Sequence, residues 1–242
     1  MKIAIPTHRR VDMIAVTTLS LLKEFEKNEI YIFITDIKDF LDYSKKYDGY
    51  NLILCNTTNA TEKFNFIQNY FKEGEFVFVI EDDIKKIQSL LTSNLKKLFL
   101  FMENFCNSKK ISAFGVYPSS NRFFMSKTID VGLTYIVANL YGFVSKKDSR
   151  LNCKLASKTD YERSVRFFNV YGQIARFNFI SCITNNYKNK GGMQLLEGRA
   201  EIEKKSSLQL CSSFPEIFSI NKKRKSLYTE LRMVKKIKKI NI

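Results

Sequence analysis

Phe76-Val77-Phe78-Val79-Ile80, followed at once by Glu81-Asp82-Asp83, is the stretch on which the reading of this chain turns. Five consecutive residues that are all aromatic or β-branched describe a strand buried on both faces, as the inner strands of a parallel sheet are. Three carboxylates in a row then repel one another unless a cation or a sugar hydroxyl stands among them. Ligands in open α/β sheets bind beyond the carboxyl ends of the strands, which is where the triplet falls. Hard oxygen ligands of this kind suit Mg²⁺ or Mn²⁺, which fill the rest of their shell with water and substrate phosphates. The alternative is a helix N-terminus, because acidic residues ahead of Ile84-Lys85-Lys86-Ile87 would meet a helix dipole favourably. That role needs one carboxylate or two, not three.

Outward from this stretch, Lys2–Ile5, Ile30–Thr35 and Asn51–Cys55 read as further buried strands. Between them, Asp12–Lys27 has a helical spacing through Ile14, Thr18, Leu21, Leu22 and Phe25. Ala60–Phe71 repeats it through Phe64, Ile67 and Phe71 and stops before Gly74. Strand and helix in alternation predict an α/β fold, a mixed and mainly parallel sheet with helices on both faces. Downstream, Asn94–Phe105 and Asp160–Tyr171 read as helices, and Ile111–Val116, Tyr135–Phe143, Gln173–Phe177 and Phe179–Thr184 as strands. Pro118–Thr128 reads as a loop. One domain over residues 1–200, with halves at 1–90 and 91–200, and a basic extension over 201–242 is the simplest division.

Composition narrows the function. The 242 residues are 45% hydrophobic and 26% charged, the mix of a folded core and not of a disordered chain. No apolar run approaches the roughly 20 residues that span a bilayer, and Met1–Pro6 is too short for a secretory signal, so the expected place is inside a cell. Five cysteines, odd in number and without a CxxC pair, argue against a disulfide framework or a structural zinc site. With His8 as the single histidine, carboxylates must carry any metal or acid–base chemistry.

The net charge of +16 points to a polyanionic partner or to a solubilising surface. Residues 221–242 hold nine basic residues and one acidic, so +8 of it lies there. Lys222, Lys223, Arg224, Lys225, Lys235 and Lys236, with Lys238 and Lys239, flank Leu227, Leu231, Val234, Ile237 and Ile240. That spacing predicts a basic amphipathic helix facing DNA phosphates, a membrane surface or solvent.

Three more polar clusters follow strand ends: Pro6-Thr7-His8-Arg9-Arg10, Asp36, and Asn56-Thr57-Thr58-Asn59. None is a GxGxxG or a GxxxxGK[ST], so neither a dinucleotide fingerprint nor a P-loop is present. The crevice is nucleotide-like without the usual glycine cradle.

Ile3-Ala4-Ile5-Pro6-Thr7, the carboxylate after strand two, the segment Thr61–Ile67 and the acidic triplet together resemble a GT-A glycosyltransferase. Thr159-Asp160-Tyr161-Glu162-Arg163-Ser164-Val165-Arg166, then Gly172–Asn178, then Asn189-Lys190-Gly191-Gly192 resemble the glycosyltransferases associated with TET/JBP oxygenases in phages, large viruses and kinetoplastids. The resemblance spans roughly residues 1–194. It implies transfer of a sugar from a nucleotide donor, a UDP-sugar, onto a hydroxymethylated pyrimidine in DNA, with Mn²⁺ or Mg²⁺. By the same resemblance, residues 1–90 are the donor half and 91–200 the acceptor half. Asp83 would ligate the metal, with Glu81 and Asp82 reaching ribose or sugar hydroxyls. Pro6, Thr7 and Asp36 would line the nucleoside with Arg10 close by, and Lys190, Gly191 and Gly192 would meet the phosphates. Asp160 would be the base, with Glu162 as second choice. Where the family often carries an Arg-Asn pair, this chain has Phe64-Asn65, which leaves Lys63 to supply positive charge.

Such chemistry needs no histidine. A divalent cation offsets the charge on a departing diphosphate, and one carboxylate takes the acceptor proton, a step worth about 10²–10⁴-fold. Bland readings stand beside these: Asp160 as a helix-start carboxylate, and Lys190-Gly191-Gly192 as an ordinary turn. Tyr117, Phe123 and Phe124 either stack on an extruded base or belong to the core. A glycan or protein acceptor, or a non-catalytic basic DNA-binding protein, are the alternative functions.

Overall fold

A computed structural model of the chain describes residues 1–184, 197–223 and 228–242. The strands read in the first half are present as β1 (Lys2–Thr7), β2 (Ile30–Ile34), β3 (Asn51–Leu54) and β4 (Phe76–Ile80). They run parallel in the order β4-β1-β2-β3. The β pleat sends alternate side chains to opposite faces. Phe76, Phe78 and Ile80 join one core with α1 (Met13–Val16), α2 (Thr18–Leu21), α3 (Ile37–Ser44) and α5 (Leu95–Lys109). Val77 and Val79 join a second core under α4 (Ala60–Tyr70) and α6 (Thr159–Tyr171). Helices therefore cover both faces, which is why β4 is apolar at every position.

Beyond β4 the sheet continues through β5 (Ile84–Ser89), β6 (Ala113–Tyr117), β7 (Thr128–Leu133), β8 (Leu140–Val144), β9 (Ile174–Thr184) and β12 (Lys236–Asn241). Its order is β12-β7-β9-β6-β8-β4-β1-β2-β3, with β5 paired to β9. Only β5, β7 and β8 run against the rest, so the sheet is mixed and seven of its ten described strands share one direction. A third, small core of Val165, Leu210, Phe218 and Leu231 joins α6 to α7 (Arg199–Ser213) and to the hairpin of β10 (Phe218–Ile220) and β11 (Leu231–Met233).

Several elements depart from the sequence reading. Ile84-Lys85-Lys86-Ile87 opens strand β5 and not a helix, which removes the helix-dipole account of the triplet. The helix expected over Asp12–Lys27 breaks at Thr17, between α1 and α2. Tyr135 and Ile136 lie ahead of β8 because the Ile136 N–H donates to Ser164 Oγ (2.9 Å) on α6 instead of joining a ladder. Gln173–Phe177 and Phe179–Thr184 form one strand, β9, whose first nine residues are buried.

Among its described residues, the basic tail is not an amphipathic helix. Leu231–Met233 and Lys236–Asn241 are strands, and β12 pairs antiparallel with β7 along its whole length. An open sheet edge offers this segment hydrogen bonds that override its helical spacing. Gly132 lets the edge be reached: at φ +126, a Cβ there would sit 2.1 Å from the Lys236 carbonyl oxygen.

Candidate active site

Because β1 and β4 are neighbours, Thr7 and the triplet end side by side. Thr7 Oγ1 donates to Asp82 Oδ2 (2.7 Å) and accepts from the Tyr43 hydroxyl of α3 (2.6 Å). Arg10 Nη1 donates to Asp82 Oδ1 (2.5 Å) and lies 3.3 Å from Asp83 Oδ2. Asp82 is thus gripped at both oxygens. The break at Thr17 has its reason here. Thr17 Oγ1 donates to the Asp82 carbonyl (2.6 Å), and Thr18 Oγ1 donates to the Glu81 carbonyl (2.5 Å) and accepts from Ile84 N (3.1 Å). Mid-helix threonines whose hydroxyls find other backbone groups weaken a helix, and these two fasten the triplet's main chain.

One guanidinium faces three carboxylates. Burial, with Asp83 and Asp82 adding to it, pushes the Glu81 carboxyl up to about 8. Burial also raises Asp82, against the opposing pull of Arg10 and Thr7. The Asp160 charge is among those holding Glu81 up, so α6 brings its carboxylate into the field of the triplet. Asp160 Oδ2 accepts the Tyr135 hydroxyl, and Oδ1 accepts Tyr161 N (3.0 Å).

At the end of β2, Asp36 caps α3 by accepting Asp39 N (2.9 Å), and Asp39 accepts the Arg9 N–H (2.7 Å) where Arg9 adopts φ +54. His8 Nδ1 stands 4.0 Å from both carboxylates. Burial, and then the Lys63 and Arg9 charges, hold its imidazole below the usual range. Lys63 is buried on α4, and its ammonium donates to the carbonyl of Thr7, next to Pro6 on β1. Burial lowers the Lys63 ammonium. Asn59 caps α4 by accepting Glu62 N (2.9 Å), so the Asn56–Asn59 cluster serves that helix start.

Glu162 is buried, accepts the N–H groups of Lys154 (3.0 Å) and Leu155 (2.9 Å), and pairs with Arg166 (2.7 Å), so both its oxygens anchor the loop before α6. Phe123 and Phe124 are 86% and 59% exposed, which takes them out of the core, whereas Tyr117 lies under the Arg176 guanidinium at 5.6 Å. Lys190, Gly191, Gly192, Arg224 and Lys225 lie outside the described residues; Lys222, Lys223, Lys235 and Lys236 are on the surface.

Among the described residues no three His, Cys, Asp or Glu side chains converge as a ready-made metal site. The donor set still fits a hard cation that takes most of its shell from substrate: Asp83 offers a carboxylate beside excess negative charge. Among the described residues no helix is long and apolar enough to cross a membrane.

No protein-family model matches the chain, and no curated protein matches it. Solved structures do share its fold. Glucosyl-3-phosphoglycerate synthase from Mycobacterium tuberculosis, in complex with Mn²⁺, UDP and glucosyl-3-phosphoglycerate, is similar over 96% of this chain and 86% of its own, with a TM-score of 0.55 at 9% identity. A second structure of that synthase covers 97% and 87%, again with a TM-score of 0.55, at 10% identity. At such identity the likeness concerns architecture, and it defines the chain as a GT-A-type α/β fold.

Tyr43, Asp39, Thr17, Thr18 and Tyr135 join the site without having been read from the sequence. Asp36, Asp39, Phe40 and Tyr43 carry a cap and a helical spacing that mark α3. Tyr135 has no local signal, because its partner is 25 residues away.

Proposed function

We propose that this chain is a metal-dependent glycosyltransferase that moves a sugar from a UDP-sugar to the hydroxymethyl group of a modified pyrimidine in DNA. The observation that carries the reading is the meeting of Thr7, Arg10 and the acidic triplet at the carboxyl ends of β1 and β4, with Asp160 electrostatically coupled to Glu81 from α6. A UDP and Mn²⁺ complex on the same architecture supports it. Asp83 would hold Mn²⁺ or Mg²⁺, which supplies positive charge against the departing diphosphate. Pro6, Thr7 and Asp36 border the nucleoside side. Asp82, fixed by Thr7 and Arg10, presents a rigid acceptor for ribose or sugar hydroxyls, and Glu81 a second one. Asp160, steadied by Tyr135, takes the proton from the acceptor hydroxyl as that oxygen bonds to the anomeric carbon and the bond to diphosphate breaks.

The acceptor rests on the ordered sequence blocks and on the basic surface. A glycan or protein acceptor is the second reading, favoured by one observation: the lysines of β12 line a sheet edge, where lysine also serves to block edge-to-edge pairing. Incubation with Mn²⁺, a panel of nucleotide sugars and hydroxymethylated DNA, followed by digestion to nucleosides and mass spectrometry, tests the proposal. Glycosylated hydroxymethyl nucleosides are expected. Donor turnover with only a glycan or protein acceptor would move the function to the second reading, and no turnover of any donor would sink both.

A further inference from the structure

Arg163 sits on α6 one turn beyond Asp160, and is 2% exposed. Its guanidinium carbon lies 4.0 Å from the ring centroid of Tyr141 on β8 and 5.0 Å from that of Phe64 on α4. The two ring centroids are 6.5 Å apart, so seen from the guanidinium carbon the rings stand at about a right angle, and neither supplies an oxygen to its N–H groups. Neither Nη1 nor Nη2 has a hydrogen-bond partner among the described residues, and both are buried. Buried donors left unmet are uncommon in folded proteins and cost free energy, more so when charged. Cation–π contact with two rings offsets part of that cost and fills no hydrogen bond.

The location gives the orphan a meaning. Tyr141 is opposite Val79, two residues before Glu81, and Phe64 follows the lysine that reaches Thr7. The Arg163 charge bears on Tyr135, the hydroxyl that holds Asp160, and on Tyr141. The guanidinium therefore lies at the seam between α4 and α6, against β8. Two parallel N–H edges on one plane match the paired oxygens of a phosphate.

We infer that Arg163 is a phosphate-binding fork at the α4–α6 seam, completed only when substrate is bound. The inference takes its substrate class from the proposed glycosyltransferase reading. The phosphate belongs either to the donor diphosphate or to the acceptor strand, and the test separates them.

Arg163→Met keeps apolar bulk between the two rings and removes the fork. Because the unmet charge is a burden in the ligand-free protein, this variant should unfold at the same temperature as the parent or higher. UDP affinity by calorimetry should fall by roughly 10-fold or more, and stabilisation by inorganic pyrophosphate should disappear. Arg163→Lys, which offers a point charge without the fork, should recover part of it. If a short DNA oligonucleotide loses affinity while UDP does not, the fork serves the strand phosphate. The inference is overturned if Arg163→Met binds UDP, pyrophosphate and oligonucleotide as the parent does, or if it merely unfolds at lower temperature. A parent that binds UDP but glycosylates nothing would end the proposed function and leave the fork intact.

Discussion

Arg10→Met removes the guanidinium that faces the triplet and keeps most of its apolar stem. Arg10 is 11% exposed at the side chain, and its partners Asp82 and Asp83 are at 5% and 10%, so this pair is buried and not screened as a surface pair would be. Removing one partner of a buried ion pair costs about 3–5 kcal/mol, chiefly through the charge left behind. In a chain of 242 residues each kcal/mol moves the melting temperature by about 2–4 °C, so a drop of about 6–20 °C is expected. If Asp83 can hold a divalent cation, Mn²⁺ takes over part of the lost charge. At a hundred times its Kd a ligand adds about 2.7 kcal/mol, more than half of a mid-range loss. Thermal unfolding with and without Mn²⁺ reads this directly, without any sugar donor. The variant should gain more from Mn²⁺ than the parent, in which Arg10 competes, and Asp83→Asn placed on top should abolish the gain. A variant that melts within 2 °C of the parent, or that ignores Mn²⁺, would refute the electrostatic account of the triplet.

Asp160→Asn keeps shape and hydrogen-bonding reach but cannot take a proton, so UDP affinity should persist while turnover falls by about 10² or more; near-parental turnover would place the base elsewhere. His8, the single histidine, gives one set of imidazole NMR signals, and these should titrate below 6.5. Its folded state favours the neutral ring, so its stabilising contribution is present above pH 6.5 and is lost as pH falls through the lowered value; His8→Gln should lack that acid-side loss. Gly132→Ala forces a Cβ onto the Lys236 carbonyl at a left-handed φ, and should lower stability by more than about 1 kcal/mol and expose residues 236–241 to protease. Changing Lys235, Lys236, Lys238 and Lys239 to Gln should flatten the salt dependence of DNA binding by about 0.9 per lost phosphate contact; an unchanged slope would mean these lysines only guard the edge.

The first 90 residues were legible because their signals are local. Phe76–Ile80 needs no partner to look like a buried strand, and Glu81–Asp83 stands out by its own charge. The failures share one cause, which is partners distant in sequence. Lys86-Ile87 fits a helix until Ile183 and Cys182 on β9 supply a ladder. Thr17 fits a helix until the Asp82 carbonyl, 65 residues on, takes its hydroxyl. Ile237 and Ile240 keep a helical spacing that a free edge at Gly132 and Ile129 overrules. Glu162 reads as second choice to Asp160, and its bonds to the loop at Lys154 and Leu155 leave no local signal in the sequence.

Glu81, Asp82 and Asp83 are the entire link between β4 and β5, which are bonded to two different strands, β8 and β9. The link is pinned from both sides and again from above by Thr17 and Thr18. Its amides should therefore exchange with deuterated solvent only in the rare openings that also release β9, not in local fraying. Ordering entropy for these three residues is settled during folding, so a ligand arriving at the triplet meets a surface already fixed. Heat should accordingly abolish binding and fold in a single transition.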